Sequence, residues 1–303
     1  MLTNDVETTS IVNHRLCDKT GEKVLKEGMP ALLELYERFN IRATFFFTGY
    51  IAEKFPEVVR MIIPFGHEVG SHGYSHKPDL AFDVLTYEEQ VEHLLKSKKI
   101  LEDISGTKVQ SFRAPAARVN KDTPRALAKT GFVIDSSVAS QRFDMFLSFG
   151  SKQKLNWLTA PRLPYFTNHN NLWKKGNSEI LEIPISALLF PYIGTTLRIF
   201  PLITRFTGRV LYSETLINKK PIVFLTHPNE FINEEMEIKK VERRSQNFVS
   251  YILGDIIRHK LKLKNLGSGA IPIFEREIEF FYKKNFKFVT CTEYYNEFIN
   301  LKS

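Results

Sequence analysis

The chain has little cysteine, no long apolar run and a shortfall of acidic side chains. Its 303 residues include two cysteines, Cys17 and Cys291, far apart and in no zinc-type spacing. A disulfide framework is therefore unsupported, and a reducing compartment is the default. No uninterrupted apolar stretch is long enough to span a bilayer as a helix. The opening Met1-Leu2-Thr3-Asn4-Asp5-Val6-Glu7 lacks a basic start followed by an apolar core, so no secretory signal is read there and a cytoplasmic setting is expected. Asp and Glu number 34 against 42 Lys and Arg, a formal net charge of +8. That balance favours an anionic substrate or surface, or simple solubility. The basic segment 239–264 contains no recognised nucleic-acid motif, so a solvated or phosphate-attracting face is expected there, with no RNA or DNA partner.

What is present is a globular composition, 43% hydrophobic and 25% charged, in a chain long enough for one α/β barrel domain. Elements alternate. Met1–Asn4 reads as a strand and Thr8–Gly28 as a polar loop. A helix opens at Pro30, and Ile41–Phe47 reads as a buried strand. A short helix spans Pro56–Ile63, and a strand runs from His67 to Ser71. Thr86-Tyr87-Glu88-Glu89 is a capping box opening a long helix that Gly106 stops. Val109–Phe112, Phe132–Ile134 and Ile222–Thr226 read as further strands, with Asn120 capping a helix between the first two. The C-terminal part reads as helix 274–284, strand 286–290 and helix 292–300. Strands alternating with helices predict a parallel sheet, as a barrel or a doubly wound layer.

The polar candidates share one address. Asp5, His72, Arg113, Asp135 and His227 each fall just past the C-terminal end of a predicted strand. In a parallel barrel those ends converge on one face, where active sites are built. His72 and His76 stand four apart within Gly66-His67-Glu68-Val69-Gly70-Ser71-His72-Gly73-Tyr74-Ser75-His76. One helical turn after the strand would bring both rings to one cation, and imidazole suits Zn, Co, Ni and Fe.

These motifs, taken in order, resemble the polysaccharide deacetylases with a NodB homology domain. Thr3-Asn4-Asp5-Val6-Glu7 is similar to that family's first motif and Gly66–His76 to its second. Phe112-Arg113-Ala114-Pro115, Asp135-Ser136-Ser137 and Leu225-Thr226-His227-Pro228 resemble the third, fourth and fifth. The resemblance covers most of the chain. It implies a distorted (β/α) barrel of seven or eight parallel strands as a single catalytic domain over 1–303. It also implies a divalent metal, zinc above cobalt, nickel or iron, held by Glu7, His72 and His76. Asp5 would then be the base and His227 the acid; Arg113 would pair with Asp5, and Asp135 would hold the His227 ring. The family pattern departs here at Val6, at Glu7 in place of an adjacent aspartate, and at Gly73. The Asp-Val-Glu start resembles the subgroup that includes exopolysaccharide-locus and cyclic-imidase-like proteins.

The reaction implied is removal of an N-acetyl or N-formyl group from an amino sugar of a polysaccharide, oligosaccharide or lipid-linked glycan. Hydrolysis of a non-sugar amide or cyclic imide is the alternative on the same fold, and a catalytically inactive glycan-binding protein is the reading from another class. One segment stands apart: 184–212 is strongly apolar, punctuated by Arg198, Arg205 and Arg209 and broken by Pro191, Gly194 and Pro201. It reads either as a barrel helix or oligomer contact, or as a peripheral contact with the inner membrane face.

Overall fold

The computed structural model describes residues 1–12, 15–141, 152–233 and 258–301. Of the basic segment, 239–257 therefore lies outside the described residues. The core of the molecule is one sheet. Its strands are β1 (Leu2–Val6), β2 (Thr44–Phe47), β3 (Glu68–Ser71), β4 (Ser111–Phe112), β5 (Ile134–Asp135), β6 (Tyr165–Asn168), β7 (Asn171–Lys175) and β8 (Leu181–Glu182), with β9 (Ala187–Leu188) and β10 (Phe190–Pro191) in a separate hairpin, and β11 (Phe224–Thr226). The order is β11-β1-β2-β3-β4-β5-β8-β6-β7. Every ladder from β11 to β8 is parallel, and β8-β6 and β6-β7 are antiparallel.

The chain just after β8 returns to the far edge of the sheet. Ser186 N donates to Val223 O at 3.1 Å, Val223 N donates to Ser186 Oγ at 3.0 Å, and Ile193 bridges Leu225 in parallel sense. The closure is made by single bonds and not by a full ladder, which gives the expected barrel its distortion. An antiparallel pair, β6 and β7, sits outside the parallel run and has no counterpart in the sequence reading. Those strands are short, and their alternation is brief, β7 ending in two exposed lysines.

Side-chain alternation sorts β1. Met1 joins the small interior cluster with Phe46, Ile134, Leu181 and Val223, while Leu2 and Val6 join the larger cluster under the helices. Odd positions therefore point into the barrel, which puts Asp5 and Glu7 on one side. Helices pack outside: α1 (Asp18–Lys23), α2 (Met29–Arg38), α3 (Gly49–Lys54), α4 (Glu57–Arg60), α5 (Tyr87–Ser105), α6 (Thr123–Lys129), α7 (Gly194–Ile199) and α8 (Pro201–Asn218). The Thr86 capping box forms as the sequence predicts, and Gly106 closes α5 in the left-handed region.

Three local expectations are corrected. The polar loop 8–28 contains α1 and a π-helical turn, Val24–Gly28, because Val24 and Gly28 bury against the core. Asn120 does not cap α6; its side chain accepts from Asp122 N in a turn before the helix. Residues 286–290 form no strand. Phe286, Phe288 and Val289 all face a cavity of about 200 Å³ shared with Met1, Ile222 and Phe281, so the two-residue alternation a strand needs is broken.

Candidate active site

The site lies where the parallel strands end. Strand bonding continues through its residues: His72 N donates to Phe47 O at 2.7 Å, Arg113 N to Ser71 O at 2.9 Å and Ser136 N to Phe112 O at 3.0 Å. The backbone that presents these side chains is thus held by the sheet. The helical turn expected between His72 and His76 is absent. Gly73 takes φ +66, a left-handed conformation that suits glycine, and the chain loops. The start of α3 fixes that loop, as Gly49 N donates to Gly73 O and Tyr50 N to Tyr74 O, each at 2.8 Å. The His72 and His76 rings still come together, with centroids 5.7 Å apart.

Glu7, His72 and His76 each offer one ligand atom, and these atoms lie within 4.8 Å of one another. Donor chemistry fits a divalent cation. His72 Nδ1 sits 2.7 Å from the Arg113 carbonyl, an acceptor only, so it carries the proton and leaves the Nε2 lone pair free. Burial, the dominant influence, holds the His72 ring below the usual imidazole range, which keeps it neutral and able to ligate. Glu7 Oε2 lies 3.2 Å from His76 Nε2 and accepts a 2.8 Å bond from Thr9 Oγ1. Thr9 is a partner the sequence reading missed; a hydroxyl two residues beyond a ligand carboxylate was the available signal.

Asp5 occupies a different position from Glu7. Its Oδ1 accepts from Arg113 Nη1 at 2.9 Å, and its Oδ2 lies 3.8 Å from His72 Nε2 and 3.9 Å from His227 Nε2. Burial works to raise the Asp5 pKa, but the Arg113 guanidinium, then His72 and His227, hold the carboxyl below its usual range. The side chain is therefore a buried carboxylate, ionised near neutrality, with Oδ2 facing two histidine rings. Arg113 is 1% exposed and is tied on every side: Nη1 also donates to Thr3 Oγ1, Nε to Ser136 O and Nη2 to Ser136 Oγ, and its guanidinium lies over the Phe46 ring.

Asp135 is placed elsewhere than the sequence reading put it. Among the described residues it makes no hydrogen bond or ion pair with His227. It accepts from Ser137 Oγ at 2.6 Å and Ser137 N at 3.3 Å, and Ser137 Oγ in turn accepts from Ala114 N. The physical reason is alternation: Ile134 joins the interior cluster with Met1 and Phe46, so Asp135 lies on the other face of the sheet, where Glu182 is its partner across the β5-β8 ladder. Asp135 therefore steadies the turn that follows Arg113, and the carboxylate beside His227 is Asp5. Both Asp135 and Glu182 are fully buried. Burial, then their mutual repulsion, raises Glu182 well above the carboxylate range, and burial raises Asp135 too. Glu182 Oε1 accepts from Val138 N, while Oε2 has no donor within reach. A protonated Oε2 donating to Asp135 satisfies both acids. Glu182 is a residue that sequence reasoning did not place in the site; an acid inside the apolar run Ile180-Leu181-Glu182-Ile183 was the signal.

Residues 18–134 match the family model for polysaccharide deacetylase. The peptidoglycan deacetylase of Helicobacter pylori is 36% identical over 116 residues, 38% of this chain and 39% of that protein. The peptidoglycan-N-acetylglucosamine deacetylase of Bacillus cereus is 32% identical over 108 residues, 36% of this chain and 38% of that protein. The aligned stretches thus span about two fifths of those relatives' length. A solved structure from Mycobacterium smegmatis, provisionally named a polysaccharide deacetylase, superposes with TM-score 0.64 at 18% identity, over 99% of this chain and 90% of that one. PuuE allantoinase superposes with TM-score 0.55 at 15% identity, over 96% of this chain and 88% of its own. Those two share the fold. Over residues 18–134 the chain is similar to the polysaccharide deacetylase family.

Proposed function

We propose that this protein is a metal-dependent hydrolase that removes the N-acetyl or N-formyl group of an amino sugar in a polysaccharide, oligosaccharide or lipid-linked glycan. One observation carries the reading: a three-ligand cluster, Glu7, His72 and His76, stands beside a separate, Arg-held carboxylate, Asp5. Relatives named for peptidoglycan, and a chitin deacetylase of Cryptococcus neoformans 32% identical over 99 residues, support an N-acetylglucosamine-type substrate. The Asp-Val-Glu start supports assignment to the subgroup that shares it.

A divalent ion in this cluster, zinc by its nitrogen-rich donor set, supplies Lewis acidity toward water and the amide carbonyl. The remaining work falls to the chain. Asp5 accepts the proton of the attacking water through Oδ2, the oxygen not taken by Arg113. Arg113 keeps that carboxylate ionised and fixed in orientation. His227, with side-chain exposure of 24% and Nε2 3.9 Å from Asp5, gives a proton to the departing amine, a role open to a half-buried imidazole at the rim. Asp135, through Ser137, holds the turn after β4 from behind. Acetate release from chito-oligosaccharides and from lipid-linked amino sugars, with a cyclic imide as control, tests the reading. Release of acetate from either sugar supports it, and ring opening of the imide alone overturns it. The proposed setting is cytoplasmic, with the glycan presented at the membrane face; the net charge of +8 supports attraction to that surface.

A further inference from the structure

The geometry points to a docking surface on α8, and we propose that its outward face seats the protein on an anionic lipid bilayer. The inference stands on observations outside the site and does not depend on the deacetylase reading. Helix α8 is turned the unusual way round. Its small residues Thr204, Thr207 and Gly208, with Leu211, face inward, Gly208 lying against Tyr192 and Glu277. Its larger apolar residues face out: Leu202 is 79% exposed, Phe206 70% and Ile217 85%, with Ile203 and Val210 also exposed. At the helical repeat these fall on one strip along the helix, interrupted only by Ser213. A helix packed on a barrel and facing water would carry polar side chains there.

The apolar surface continues beyond the helix. Arg162 donates both to Ala187 O, in the β9-β10 hairpin, and to Glu214 of α8, which holds the hairpin beside the helix. Leu189 is 65% exposed on that hairpin, and Phe190 is exposed with it. This resolves the apolar segment 184–212 into two sides: Leu197, Ile199 and Leu211 are core, and Leu189, Leu202 and Phe206 are surface.

Charge selects the occupant. Arg205 flanks the strip on one side beside Arg209, which is paired with Glu277, and Lys219 closes its C-terminal end. The acid at the strip's edge, Glu214, is already bonded by Arg162 and Lys220. A second copy pressed against this face would bring two chains of net charge +8 together, whereas an anionic bilayer meets the basic edge with opposite sign. No helix among the described residues is long and apolar enough to cross the membrane, so α8 would lie in the interface plane.

The test is co-sedimentation of the full chain with phosphatidylcholine vesicles prepared with and without phosphatidylglycerol, at low and high salt. The wild type is expected to pellet with the phosphatidylglycerol vesicles at low salt and to be partly released by salt. Leu202→Ser with Phe206→Ser is expected to weaken partition about tenfold or more. Circular dichroism, metal content and turnover on a soluble oligosaccharide should be unchanged in that variant. Wild-type protein left in the supernatant overturns the proposal, as does undiminished pelleting of the folded double variant. A dimer in sedimentation velocity that the variant abolishes, without vesicle binding, also overturns it and assigns the face to a second copy. Absence of turnover in wild-type protein that binds the vesicles would contradict the deacetylase reading alone.

Discussion

Two buried aspartates, Asp5 and Asp135, sit at the ends of parallel strands, yet they behave in opposite ways. Asp5 is held below the carboxylate range and Asp135 above it. Burial pushes both upward, so burial does not separate them. The difference is the partner: at Asp5 a direct guanidinium bond from Arg113, with His72 and His227 beside it, outweighs burial, whereas at Asp135 the bonds from Glu182 and Ser137 and the more distant Arg113 do not. Arg113 spends its other donors on Thr3 and Ser136, so the guanidinium favours one corner. One corner is thereby charged and able to accept a proton, and the other holds a proton and serves as scaffold. Identical residue types at equivalent strand ends take roles set by what stands opposite.

Removing the metal corner should have the largest effect. His72→Ala with His76→Ala leaves one ligand of three, and bound metal and turnover should fall to background together in elemental analysis and acetate release. Retention of full metal in that variant would remove the basis for comparing the two corners.

Arg113→Met should come next, because it strips Asp5 of its partner and leaves a buried carboxylate unpaired. The expected cost is about 3–5 kcal/mol in denaturant unfolding. The pH dependence has a definite sign. A carboxyl with a depressed folded pKa contributes stability that is present above its unfolded value, near 3.8, and lost as pH falls through the folded value. Without Arg113 the Asp5 pKa should rise, so the acid limb of kcat/KM should move to higher pH. An unmoved limb in folded, metal-loaded variant would mean that Arg113 does not govern Asp5.

The scaffold corner should respond weakly and with the opposite sign. A carboxyl whose folded pKa is raised contributes stability that is present below its unfolded value, near 4.5 for Glu182, and lost as pH rises through the folded value. Glu182→Gln keeps a donor toward Asp135 and an acceptor for Val138 N, so it should change stability by less than about 1 kcal/mol at low pH and flatten the decline at high pH. Glu182→Ala orphans Val138 N and should cost about 1–3 kcal/mol. Equal unfolding curves for all three proteins between acid and alkaline pH would show that no proton is shared there.

Much of this architecture was legible in the sequence because it rests on local rules. Alternation in β1 placed Asp5 and Glu7 on one side, the strand-end positions gathered Arg113 and His227, and Thr86 with Glu89 announced α5. What escaped depends on pairings between distant segments. Nothing local to Asp135 tells that β8 will set Glu182 opposite it, 47 residues later in numbering, so that partner stayed out of view. The His72–His76 turn was misjudged because spacing of four also arises in a loop with one left-handed glycine, Gly73. The barrel's closing contact, Ser186 to Val223, carries no pattern at all, being two bonds between irregular chain segments.

The central claim is that Glu7 belongs to the metal and Asp5 to the proton. Metal content of Asp5→Asn and Glu7→Gln, measured beside turnover on one N-acetylated oligosaccharide, tests it most directly. The account predicts that Asp5→Asn keeps its metal and loses about 10²–10⁴-fold in kcat, the range expected when a positioned base is removed. Glu7→Gln should instead bind metal more weakly and recover part of its turnover at high metal concentration. Metal lost from Asp5→Asn and kept by Glu7→Gln would contradict the account and exchange the two roles.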